Sequence, residues 1–473
     1  MRFNKKNDKN HIDSNEEYLS PDNRPPFKFD GLVNNIKNSA SIAHHKIKTN
    51  RDVKELVFNS LPPEEKKVHL GRKYFIMDNI SIYIIVSICA GSYLAGLLNY
   101  VGVPPEINGI ILSLPVLAGF FQIVGAIISQ NLHTQKKFVL FGIAVHRISL
   151  SIVFIYPLIF GPTLLCAFMV ISTYAIGFFV GTSVGPAASN WIVSLVPTNI
   201  RGDYFSKRER FSLLGVAVAT MIVSLILDKA KIIQHVSIGF AVVGFILLAV
   251  AIFDIICVAK IHEPESVYIK KKFTIHALLE PVFDKKFAKV IMIFVLWQAS
   301  TQMAIPFMGI YYIENIKMDY TIIGIVMLVV TIEKALIVSR WGKFADRTSW
   351  DNVLKIAVLI YATSQAMQIF LSPTNFIWLY PFALIIGNVA WSVLGIAIFN
   401  IQFQFLNPEK ATIYIGVCGM ISGLLGFGVA LIASRILTVV NGMALPFNGY
   451  QVLIAISALL GFVLSLYMHK KVR

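Results

Sequence analysis

Twelve apolar blocks of roughly 20 residues dominate this chain, and each is long enough to cross the hydrocarbon core of a bilayer. They run approximately 77–100, 107–130, 138–158, 161–184, 211–229, 237–259, 288–311, 321–339, 353–371, 376–400, 411–436 and 449–468. Inside lipid no water satisfies peptide N–H and C=O groups, so such blocks fold as helices. A chain of 473 residues that is 56% hydrophobic and 14% charged has too little charge to cover a soluble globule. The fold class is an all-α polytopic membrane protein with twelve transmembrane helices.

The net charge of +16 is distributed by side. With alternate loops facing alternate sides, 36 of the 42 Lys and Arg residues fall on the side of the N-terminal tail. Three (Lys229, Lys231, Lys317) fall opposite, and three (Arg147, Lys334, Arg435) lie within spans. Positive residues stay on the cytoplasmic side. This predicts a multi-pass protein of the cell membrane with both termini in the cytoplasm. Orientation and contact with anionic lipid account for the basic balance, so a nucleic-acid partner is not required.

Residues 1–75 read as a largely disordered basic tail. Within it, Val53, Leu56, Val57 and Leu61 recur at helical spacing, which is also compatible with a short helix on the membrane surface. Residues 76–260 and 287–473 form two six-helix halves, joined by a cytoplasmic loop over 261–286. Cys89, Cys166, Cys257 and Cys418 all fall in apolar spans and read as packing residues.

The six-plus-six division suggests a duplicated unit. After the second span comes "GAIISQNLHTQKK", from Gly125; after the eighth comes "GKFADRTSWDN", from Gly342. "LVPTNIRGDYF", with Arg201, follows the fourth span, and "FLNPEKATIYI" follows the tenth. Gly342, Asp346 and Arg347 match a cytoplasmic loop motif of the major facilitator superfamily: a glycine, three residues, then aspartate and a basic residue. With the helix layout, and with the stretches over 191–211 and 378–408, residues 75 to 470 resemble that family, in a bacterial branch whose members mostly lack an assigned substrate. The resemblance implies the major facilitator fold and a central path lined by helices 1, 4, 7 and 10. Two departures stand out: Ser129 and Gln130 replace the acid and base in the first half, and Thr348-Ser349-Trp350 ends the second copy.

The motif has a physical reading. Gly342 permits a sharp turn or a close approach of helix ends. Asp346 could cap the next helix or pair with an arginine, giving a contact that forms only when the halves close. The alternative is a solvated loop whose charges merely fix topology.

Charged residues inside spans are costly, and so are functional candidates. Arg147 lies ten residues past Lys137, near the midplane, beside His146. It could bind an anionic substrate, or pair internally on a helix that the resemblance puts at the periphery. Glu333 is a protonatable candidate, while its neighbour Lys334 could snorkel. Asp254 reads as a structural partner near Lys260. Among uncharged residues, Trp297 and Thr301 share one face of helix 7, and Gln298 and Gln302 share another. Pro306 follows and frees carbonyls. Asn388, Trp391 and Ser392 share a face of helix 10. The expected substrate cavity comprises Trp297, Gln298, Thr301, Gln302, Asn388 and Trp391.

The chain has no phosphate-binding G-x-x-x-x-G-K-[ST] run, no H-E-x-x-H and no nucleophile-base-acid set. The expectation is a monomeric transporter rather than an enzyme, without a cofactor. It moves a small organic solute by alternating access, with protons as a candidate coupling ion. A membrane sensor or scaffold of the same fold, and a lipid or amphiphile flippase, are the competing expectations. If the second-half motif gates, Asp346→Asn should lower solute flux in proteoliposomes far more than any substitution at Ser129.

Overall fold

The computed structural model describes residues 62–130, 132, 134–196, 201–262, 280–285, 287–403, 411–443 and 447–471. Helices occupy all twelve expected positions. The first half comprises α1 (Pro63–Ile88), α2 (Gly91–Tyr100), α3 (Pro105–Leu112), α4 (Leu114–Ala118), α5 (Phe121–Gln130), α6 (Lys136–Ile152), α7 (Tyr156–Phe160), α8 (Leu164–Leu195), α9 (Arg201–Ile232) and α10 (Val236–Ala259). The second comprises α11 (Phe287–Ile310), α12 (Tyr320–Arg347), α13 (Trp350–Gln368), α14 (Phe376–Phe403), α15 (Ala411–Asn441) and α16 (Gly449–Lys471). Among the described residues nine spans are long and apolar enough to cross a bilayer, and the bent pair α1–α2 makes a tenth. The other two positions hold α6–α7, broken between Ile152 and Tyr156, and α13, which carries Asp351 and Lys355.

Several sequence expectations are corrected. Residues 63–75, assigned to the tail, are the first turns of α1. The surface helix expected before Leu61, and most of the central loop, lie outside the described residues. The first span is broken: α1 and α2 meet at 47° across Cys89–Gly91, where Gly91 has φ of +53°. That left-handed conformation is open to glycine without a steric penalty. Pro306 lies inside the seventh span as its bounds imply, and beyond Ile310 the helix continues past the expected end through a π-helical turn over Tyr311–Asn315.

Each half has its own apolar core. Away from the basic residues the two cores touch: Tyr320 of the second half packs into the core of the first, and Ala95 of the first into that of the second. Toward the basic face they are separate. Phe75, Trp191 and Tyr204 anchor one, and Phe287, Val353 and Tyr361 the other, and among the described residues neither includes a residue of the opposite half. Among the described residues the two apolar cores therefore touch at one face.

Small residues make that meeting close. A Cβ on Gly309 would stand 2.7 Å from the Gly91 carbonyl carbon, so backbone meets backbone between α11 and the break in the first span. A Cβ on Gly109 would fall inside the Phe307 ring, and one on Gly96 would strike the Tyr320 hydroxyl. Gly309→Val should penalise this closed contact by about 1–3 kcal/mol. The expected result is faster maleimide labelling of an introduced Ala95→Cys, with the four native cysteines replaced.

Candidate functional site

Where the halves close, the contact is built on charge. Asp228, near the end of α9, reaches across to the start of α12. Its Oδ1 accepts from the Tyr320 N–H at 2.9 Å, and its Oδ2 from the Thr321 N–H at 2.6 Å. The first N–H groups of a helix lack intrahelical partners and carry the positive end of its dipole. The preceding residue of α12 itself, Asp319, makes no side-chain cap. Around this clamp, Tyr93 stacks on Tyr320 with ring centroids 5.9 Å apart, and Asn99 Nδ2 donates to Glu314 Oε1 at 2.8 Å. Nearer the basic face, Lys334 of α12 lies 3.8 Å from Glu209 of α9, which also accepts from the Tyr83 hydroxyl at 2.9 Å. Lys334 thus pairs across the halves instead of snorkelling to solvent.

The expected cavity residues fall into three groups. Gln298 and Gln302 lie at the seam between the halves. A Cβ on Gly426 of α15 would stand 3.2 Å from Val116 of α4 and 3.3 Å from both glutamine side chains. Gln302 is 8% exposed, and its Oε1 is buried without a hydrogen-bond partner among the described residues. Trp297 of α11 meets Trp391 of α14 edge-on at 5.3 Å and Tyr361 at 4.9 Å. Trp297 and Tyr361 are buried, but Trp391 is 42% exposed. Asn388, one turn before Trp391, donates to the Val330 carbonyl at 2.5 Å and lies 3.5 Å from Glu333 Oε2. Glu333 is therefore tied to α14. Thr301 leaves the set: it is buried and donates to the Trp297 carbonyl of its own helix at 3.0 Å.

The intramembrane charges form a separate cluster inside the first half. Arg147 of α6 donates from Nε to Asp254 Oδ2 of α10 at 2.9 Å, and from Nη2 to Asp78 Oδ1 of α1 at 3.3 Å. Its Nη1 is 2.7 Å from His146 Nδ1. Arg147 is consumed by these partners, which fits the internal-pairing alternative. Asp254 pairs with Arg147 and not with Lys260. Asp78 was missed because it stands only two residues inside the first apolar block, where a helix end was expected. Asp228, Glu209 and Tyr320 were missed for a similar reason, since all three border spans. The His146 ring packs over the backbone of Gly181, where a Cβ would stand 2.5 Å from its Cγ, so that glycine serves helix packing.

The loop motif is corrected in form. Gly342 and Asp346 lie inside α12, whose last residue is Arg347, so no turn occurs at Gly342. The chain turns at Thr348, and Ser349, not Asp346, caps α13: its Oγ accepts from Asn352 N–H at 3.3 Å. Arg347 is exposed at a helix C-terminus, where a cation suits the dipole. Gly125 is likewise helical, in α5, and a Cβ there would overlap the Ser183 carbonyl of α8. It permits close packing rather than a bend. The side chains of Asp346 and Arg201 lie outside the described residues; Arg201 is the first residue of α9.

With this geometry in hand, comparison with known proteins gives the class. The profile of the Major Facilitator Superfamily matches residues 79–431, and the chain belongs to that family. It is a multi-pass membrane transporter of some solute. Solved structures share the fold. The nucleoside transporter NupG is 15% identical, with a TM-score of 0.59 over 84% of this chain and 98% of that one. A D-xylose-proton symporter is 14% identical, with a TM-score of 0.65 over 85% and 97%. The POT family transporter PepTSo is 10% identical, with a TM-score of 0.61 over 86% and 99%. No curated protein matches the chain in sequence.

Removing one partner from a buried ion cluster costs about 3–5 kcal/mol. Arg147→Met should therefore lower thermal stability in detergent sharply, while Thr301→Val should leave it nearly unchanged.

Proposed function

We propose that this chain is a secondary transporter that moves a small, uncharged, polar organic solute by alternating access. In this reading the halves rock about the seam that holds Gln298 and Gln302, and the structure is the state closed away from the basic face. The observation that carries the reading is the uneven contact between halves. Cores, aromatic rings and backbone interlock at one face, whereas among the described residues the cores at the basic face stay apart. A two-state transporter needs an interface of this kind, held by contacts that can be exchanged for others.

The solute class is argued from the residues, because the fold alone does not set it: similar structures carry the names of a nucleoside transporter and of a D-xylose-proton symporter. Trp391 offers an exposed ring face beside Trp297, which suits a flat or ring-bearing solute. Gln302 Oε1 lacks a donor, and a solute hydroxyl or N–H would supply it. At the seam α11 presents two amides, and the first half faces them with the apolar side chain of Val116. Glu333, bonded to Asn388, stands beside this group and is a candidate for linking solute to protons.

Counterflow in proteoliposomes with labelled sugars, nucleosides and amino-acid amides tests the proposal. Exchange of at least one class is expected. Gln302→Leu and Trp391→Ala should each raise its half-saturation concentration about tenfold, equivalent to about 1.4 kcal/mol. Specific binding without flux across the whole panel would favour a sensor and sink the transport reading.

A further inference from the structure

The charge count around Arg147 leaves one negative charge unmatched. Two carboxyls meet one guanidinium, and the Asp78 and Asp254 side chains are 10% and 0% exposed. A carboxylate without a counter-charge in such a place takes up a proton rather than remain ionised.

His146 does not supply the missing positive charge. Its Nδ1 sits 2.7 Å from Arg147 Nη1. A guanidinium only donates, so Nδ1 must accept. The ring is then neutral, with its hydrogen on Nε2, and that atom is buried without a partner. A protonated imidazole would turn a second donor toward the arginine. Among the described residues, the titratable side chains that feel these carboxyls electrostatically include Cys257 on α10 and Tyr204 on α9, and neither is a cation. Lys260 acts on Cys257 in the same way, and Arg72 and Arg208 on Tyr204. From α8, Gly177, Phe178 and Gly181 pack against His146, and none of them is titratable.

Two further observations point to the carboxyls as the place of the proton. Asp254 Oδ1 is buried and receives no N–H or O–H from an uncharged group among the described residues. The Asp78 and Asp254 carboxyls also meet on one guanidinium, through Nη2 and Nε of Arg147. A hard metal cation would need about six oxygen ligands. The remaining neighbours here are a guanidinium, an imidazole, a thiol and a phenol, so the site suits a proton and not a metal.

We propose that Asp78 and Asp254 form a proton-binding site that holds one shared proton in this state, and that its uptake and release accompany movement of α1 against α6 and α10. The step is simple: one carboxylate and one proton become one carboxylic acid, with no other bond changed. With the proton the cluster is neutral. Without it two carboxylates compete for one arginine, and repulsion drives α1 and α10 apart. This assigns the coupling ion to a site outside the Gln298–Gln302 seam, and it rests on the transport reading above.

Infrared difference spectroscopy of the full chain in nanodiscs tests the site without requiring transport. At neutral pH the wild type should show a buried carboxylic-acid C=O band that alkaline titration removes. Asp78→Asn and Asp254→Asn should each abolish it, whereas Glu333→Gln should not. A wild type without the band, or a band that survives in both aspartate variants, overturns the proposal. If a variant fails to fold, the wild-type titration and the Glu333→Gln spectrum still decide. Coupling is read as the ratio of uptake with a pH gradient to uptake without one. It should exceed one severalfold in the wild type and fall to one in Asp254→Asn; a wild-type ratio of one overturns the coupling. Absence of any flux would instead sink the transport reading, while the infrared band would still report on the proton.

Discussion

The closed arrangement of this protein depends on a carboxylate borrowed across the molecule. Helix α12 begins at the meeting face, where its first amide groups have no partners within the helix. Its own Asp319 does not cap them; Asp228 of the other half does, with one oxygen for each of two amides. A helix start satisfied by the opposite half ties the folding of one bundle to the position of the other. The stacked Tyr93–Tyr320 pair adjoins that clamp, and close contacts at Gly96, Gly109 and Gly309 join the halves on the same side. In the proposed cycle all would be lost together when the halves part, and the open state would have to offer those amides water or another acceptor.

Polar chemistry inside the membrane is divided between two places. The first half contains the buried ionic cluster of Asp78, His146, Arg147 and Asp254, drawn from three helices and closed to solvent. The seam and the second half contain amides and aromatic rings, with Glu333 held by Asn388. The division follows from solvation. Ions tolerate burial only when they are paired with one another, whereas amides and indoles can wait in a partly open space for a passing ligand.

Much of the architecture was legible in the sequence because bilayer thickness imposes a length on every span. That one constraint gave the helices, the two halves and the charge asymmetry. The cost of burying charge also identified Arg147, His146 and Asp254 as special. What it could not give was partnership. Arg147 and Asp254 are 107 residues apart, and nothing in their spacing links them. Asp78, Glu209 and Asp228 stand near the ends of apolar blocks, where a charge has an ordinary explanation, so their roles were hidden. The loop motif was misread in form for a local reason. Helix α12 continues several residues past the apolar block, and Gly342 and Asp346 belong to that extension rather than to a turn.

The break at Gly91 has a mechanical meaning for the first span. A straight helix would pass any rotation at one end directly to the other. Here the rod is jointed. Asp78 sits on the segment before the joint, and Ser92, Tyr93 and Asn99 sit on the segment after it, with Gly309 of the other half pressed against the joint itself. In the proposed cycle the span would act as a crank with one pivot: the arm that carries the carboxyl would swing while the arm that seals the opposite face keeps its seat, and the two movements would occur in sequence.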